Sequence, residues 1–161
     1  MANITTLLKA ASGNSQRGRN AFMVENTIDI VATTIDPSAG DTVEAITLPA
    51  GCKVLAAGVE VVESATMNTG TDATVSLGFT GGDVDEFVAT FDIDGAADGA
   101  YAPEIAIDGT TVTATDDTID LLFAGTGASF TAGKLRVYAV MMDVSSQGDT
   151  SAQEVDRDAL A

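Results

Sequence analysis

The stretch CKVLAAGVEVVES, residues 52–64, decides the fold. Leu55, Ala57, Val59 and Val61 fall on one face of it and Glu60 on the other. That alternation is the period of a half-buried β-strand rather than of a helix. Gly58 inside the run marks a bulge or a close approach of backbone. The turn Pro49-Ala50-Gly51 sets its start.

The same texture continues on both sides. NTIDIVATTI (26–35) sets Ile28 and Ile30 against Thr27 and Asp29, and DTVEAITL (41–48) carries Val43 and Leu48. TVSLGF (74–79) places Val75, Leu77 and Phe79 on one face. VDEFVATFDI (84–93) reads as a helical turn over 84–89, capped by Asp83, and then a short strand. PEIAIDG (103–109) is a short strand closed by the turn signal Asp108-Gly109. Residues 110–125 hold one or two strands, with Ile119, Leu121 and Phe123 alternating with Asp120 and Leu122. KLRVYAVMMDV (134–144) is apolar on both faces after Arg136, which makes it a central strand. Residues 65–74, 80–83, 94–101 and 126–133 read as loops.

About eight short strands with no long helix define an all-β chain. The expected architecture is a jelly-roll-like antiparallel β-sandwich, with an immunoglobulin-like sandwich as the competing arrangement. The organisation expected is a flexible basic arm over residues 1–21, a sandwich domain over 22–145 and a polar tail over 146–161. With aromatics at 5% and no Trp, the core is built from small residues.

Charge is unevenly placed. Residues 1–20 carry Lys9, Arg17 and Arg19 and no acid. The rest carries Lys53, Lys134, Arg136 and Arg157 against all 24 acidic residues, for a whole-chain charge of −17. Such a body does not bind nucleic acid, whose affinity comes from Lys and Arg on phosphates. The basic lead-in reads as an arm that docks on an acidic partner or a neighbouring subunit. Leu7, Leu8 and Phe22 are its apolar anchors, and Lys9, Arg17 and Arg19 its charges. Leu7-Leu8 is too short for a signal core, and no run approaches the length of a transmembrane helix. The chain is expected to be made in a cytoplasm, with no membrane partner.

Catalytic residue types are scarce. With no histidine, Ser-His-Asp, Cys-His and ordinary zinc arrangements are excluded. Cys52 is the one cysteine, so no intrachain disulfide exists, and it reads as a small buried apolar residue. A glycosidase carboxylate pair lacks its aromatic platforms. Asp92 and Asp94 start like a calcium loop, but Ala96 and Ala97 fall where a ligand and the sharp-turn Gly belong. The Asp-Gly clusters at 81–86 and 92–99 therefore read as solvated turns. The glycines at 125, 127 and 133 match no phosphate-binding fingerprint. No catalytic, cofactor or metal residue is assigned.

Two longer stretches carry a resemblance. ITLPAGCKVLAAGVEVVESATMNTGTDATVSLGFTGGDVDEFVATFDI and DDTIDLLFAGTGASFTAGKLRVYAVMMDVS together span roughly residues 46–144. Their Pro-Ala-Gly turn into a Val-rich strand, TVSLG strand, GD-x-D-x-F element and closing TIDL and GK-L-x-V-Y strands resemble tailed-bacteriophage head decoration (cement) proteins. The resemblance implies a jelly-roll-like body without enzymatic activity. It also implies a homotrimer bound to the major capsid protein on the outer surface of the virion. Another virion component, such as a head fibre base or tail protein, and a carbohydrate-binding β-sandwich are the alternatives.

Overall fold

A computed structural model gives the fold. It describes residues 20–31, 35, 37–68, 70–79, 82–102, 112–127 and 130–144. Seven strands lie within them: β1 (Phe22–Asp29), β2 (Thr42–Leu48), β3 (Cys52–Met67), β4 (Gly70–Gly78), β5 (Val88–Asp92), β6 (Asp117–Gly127) and β7 (Phe130–Asp143). No helix occurs among the described residues. The strands form a three-stranded sheet, β1-β7-β3, and a four-stranded sheet, β2-β6-β4-β5, antiparallel throughout.

The chain crosses between the sheets at each step from β1 to β4, stays in the four-stranded sheet through β5 and β6, and returns with β7, giving a jelly-roll-like sandwich. β3 passes to β4 across residues 68–69, and β6 to β7 across 128–129. Two long antiparallel ribbons thus run over one end of the sandwich, where Met67 pairs with Phe130 and Gly70 with Gly127. The loops expected at 65–74 and 126–133 are largely strand for this reason. Their Thr and Gly residues bend the ribbon instead of ending it. Gly125 makes the bend possible: its φ is +124°, and a side chain there would strike the Asp72 carbonyl.

β7 is central in its sheet, as its two apolar faces require. Leu135, Val137, Ala139 and Met141 point inward from it, opposite buried Val54, Ala57, Val59 and Val61 of β3. Across the core stand Leu48, Val75, Leu77, Ile119, Leu121 and Phe123. Each fully buried Leu or Ile contributes roughly 1.5–3 kcal/mol by leaving water.

Three further expectations are corrected. β1 spans 22–29 rather than 26–35. Val84–Phe87 forms a turn, with the Asp85 N–H donating to Asp83 Oδ1, before β5 begins at Val88. Leu55 leaves the face it shares by parity with Ala57: a β-bulge between Val54 and Ala56 turns it out to 41% exposure and brings Val54 inward.

The strand expected at 103–109 lies outside the described residues. Its flanks lie on the free edge of β3. The Val61 N–H donates to the Ala100 carbonyl and the Ala102 N–H to Val59, while the Thr113 N–H donates to Cys52. Tyr101 bridges to Glu60 and Val112 to Lys53.

Candidate docking surface

The two outer faces of the sandwich differ in chemistry. On the four-stranded sheet the register turns Glu44, Thr47, Asp72, Thr74, Ser76 and Asp92 outward, with no basic residue among them. Part of this face is covered by the chain itself. The turn after Phe79 folds back so closely that a side chain at Gly78 would strike the Asp83 and Val84 backbone. Val84, Leu122 and buried Asp120 line the small space beneath.

The outer face of β1-β7-β3 is different. Cross-strand partners project to the same side. Met23 therefore stands beside Val140, with Ala56 beyond it, and Met142 beside Lys53 and Val112. The bulge adds Leu55. Tyr138 lies over Gly58, and Tyr101 meets Tyr138 edge-on with ring centroids 6.2 Å apart. Met23 (59%), Tyr101 (60%) and Val112 (46%) are large apolar or aromatic residues open to solvent.

All the basic side chains among the described residues lie on this face: Lys53, Lys134 and Arg136. Two of them are matched by β3. Arg136 Nη1 donates to Glu60 Oε2 at 2.9 Å, and Lys134 Nζ to Glu63 Oε2 at 2.7 Å. The Glu63 hydrogen bond, followed by the charges of Glu63 and Asp29, holds the Lys134 ammonium above its ordinary pKa. The register also places Glu25 beside Tyr138 and Asp29 beside Lys134, so this face mixes an apolar and aromatic field with acids and bases in near balance, on a body that is acidic elsewhere.

The acidic turns have structural work. Asp98 Oδ1 accepts both the N–H and the hydroxyl of Ser64 at 2.7 Å, which holds its carboxyl below the usual range. Asp92 Oδ1 accepts the Gly95 N–H, and that bond, then one from Asp94, lowers its pKa. Asp94 is raised, chiefly by its hydrogen bond with Asp92, and Asp85 by the equivalent contact with Asp83. Asp116 Oδ1 takes the Ala50 N–H, and Asp94 Oδ1 that of Ala73. Among the described residues no three metal-ligating side chains converge. Cys52 is buried, and desolvation, followed by the Asp143 charge, pushes its thiol above the ordinary value.

Of the residues assigned to a docking arm, Leu7, Leu8, Lys9, Arg17 and Arg19 lie outside the described residues. Phe22 opens β1 opposite Met141, 45% exposed. Sequence reasoning missed the sheet face. Its signal was present in VYAVMM, residues 137–142: alternate residues are apolar on both sides of β7, and only one side meets the core.

No protein-family model and no curated protein matches the chain. Solved structures do. A chain of the cyanophage Pam1 capsid asymmetric unit aligns with 88% of this chain and 97% of its own length, at TM-score 0.65 and 19% identity. A chain of the capsid of Ralstonia phage GP4 aligns with 79% of this chain and 86% of its own, at TM-score 0.60 and 17% identity. A chain of the acidic stable capsid structure of Helicobacter pylori bacteriophage KHP30 aligns with 78% and 89%, at TM-score 0.53 and 12% identity. At these identities the likeness is one of fold.

Proposed function

We propose that this chain is a bacteriophage virion protein of structural, non-enzymatic role. In particular, we propose a decoration (cement) protein that binds the outer surface of the assembled major-capsid shell as a homotrimer. The observation that carries the reading is the alignment along nearly the whole of a Pam1 capsid chain, which makes that chain close to this one in size as well as fold. The sequence resemblance to cement proteins points the same way. Electrostatics favour the outside of the shell, because so acidic a body is repelled by packaged DNA.

The mechanism is mass action. A protein that binds the assembled shell but not loose subunits shifts the equilibrium toward the intact particle. Trimerisation joins three modest contacts into one avid attachment. The basic arm, residues 1–21 with Leu7, Leu8, Lys9, Arg17 and Arg19, reaches between shell subunits, with Phe22 at the start of β1 as the anchor at its base. Removing residues 1–21 should weaken shell binding while leaving the fold intact.

Particles with and without the chain, compared by electron microscopy and by DNA release on heating or in low salt, test the reading. Added density on the outer surface and retention of DNA to higher temperature are expected. Equal DNA retention, or a location inside against the genome, overturns it.

A further inference from the structure

We infer that the outer face of the β1-β7-β3 sheet is the surface on which copies of this chain meet. The inference rests on the self-association in the reading above and supplies the contact it needs. Charge selects the occupant. Copies approaching through the other sheet bring Glu44, Asp72 and Asp92 against one another with no cation between. The β1-β7-β3 face sets Lys53, Lys134 and Arg136 against Glu25, Asp29, Glu60 and Glu63, with two of the cations in ion pairs across β3 and β7, so its charge is nearly balanced and like-charge repulsion is smallest there. A strongly acidic partner would find those two cations engaged. A strongly basic partner is better matched by the four-stranded sheet. The face suits a near-neutral apolar surface, and a second copy offers that surface here.

The apolar field is large enough for the centre of an interface, with the surrounding polar surface supplying the rest. The field is about four chains wide and five residues long, or about 300 Å² from ordinary strand spacing and rise. That is the size of an apolar patch that is commonly functional on a monomer. A stable interface takes roughly 800 Å² per partner, with an apolar centre and a polar rim. Here Met23, Val140, Met142, Leu55 and the Tyr101–Tyr138 pair form the centre, and the two ion pairs lie on the rim.

Light scattering of the full chain across a concentration series, at low salt and about 0.5 M salt, tests this. The wild type should assemble, and more tightly at high salt, because screening relieves repulsion between acidic bodies. Val140→Glu and Tyr101→Glu should each require at least about tenfold more protein to assemble (about 1.4 kcal/mol). Thr47→Glu, on the opposite face, should assemble like the wild type. If the wild type assembles and both face variants match it, the inference fails while self-association stands. If the wild type stays monomeric throughout, self-association itself fails. Should the variants misfold by circular dichroism, acrylamide quenching of wild-type tyrosine decides. Quenching that rises on dilution supports the inference, and quenching unchanged between assembled and dissociated protein overturns it.

Discussion

The phenol of Tyr138 stands where a side chain at Gly58 would be: a Cβ on Gly58 would meet the Tyr138 hydroxyl at 2.5 Å. The two residues are direct partners on β3 and β7. Glycine weakens a strand interior, and a ring laid across from the neighbouring strand restores the missing packing. The arrangement holds Tyr138 in place and lets Tyr101 meet it edge-on.

Gly58→Ala should therefore move the ring. The clash falls on the far end of a side chain, so the fold survives with a loss of about 1 kcal/mol. Tyr101 and Tyr138 are the only tyrosines and there is no Trp, so intrinsic fluorescence reports on this face alone. Acrylamide quenching should rise in the variant. Unchanged quenching and stability would refute the packing described.

Leu55 and Leu135 should behave oppositely. Leu135 is fully buried on the central strand, and Leu135→Ala should cost about 2–5 kcal/mol. Leu55 is turned out by the bulge, so Leu55→Ala should change stability by less than about 0.5 kcal/mol. Urea unfolding of dilute protein measures both. Equal losses would mean that the bulge is absent.

Asp98 links stability to pH. Its native pKa is lowered, chiefly by the Ser64 hydroxyl and then by the Ser64 N–H. A depressed carboxylate stabilises the native state above its unfolded pKa of about 3.9, and that contribution is lost as pH falls through the native value. Asp98→Ala should lower the melting temperature at pH 7, and the difference should vanish below about pH 3. A difference that persists in strong acid would mean that the contact is not electrostatic.

Cys52 should be silent in the native state. Burial and the Asp143 charge disfavour its thiolate, which is the reactive form. A thiol reagent at pH 8 should label it only as fast as the protein unfolds, and at once in denaturant. Rapid native labelling would contradict the burial.

Much of the fold was legible because local alternation and global burial agree. Ile28 and Ile30, Val75 and Leu77, and Ile119, Leu121 and Phe123 were assigned to core faces by parity, and all are buried. Parity failed at Leu55, where one extra residue reverses the face. Composition failed at the ribbon bends, because Thr and Gly look the same in a loop and in a strand that curves. The outer face of the β1-β7-β3 sheet was not read from the sequence, although part of its signal was there. The two-sided apolar pattern of β7 was visible, but a central strand buried on both sides and one with an open outer face have the same pattern.

By itself the sequence determined the all-β class, the acidic body with its basic lead-in and the lack of histidine chemistry. These follow from residue type and from period two, which need no knowledge of neighbours. Only the tertiary structure decided which strands pair, and that Lys53, Lys134 and Arg136 share a face with Met23, Val140 and Tyr101. That juxtaposition joins residues far apart in the chain through the register of β1, β7 and β3. Register is set by how two sheets close over one core.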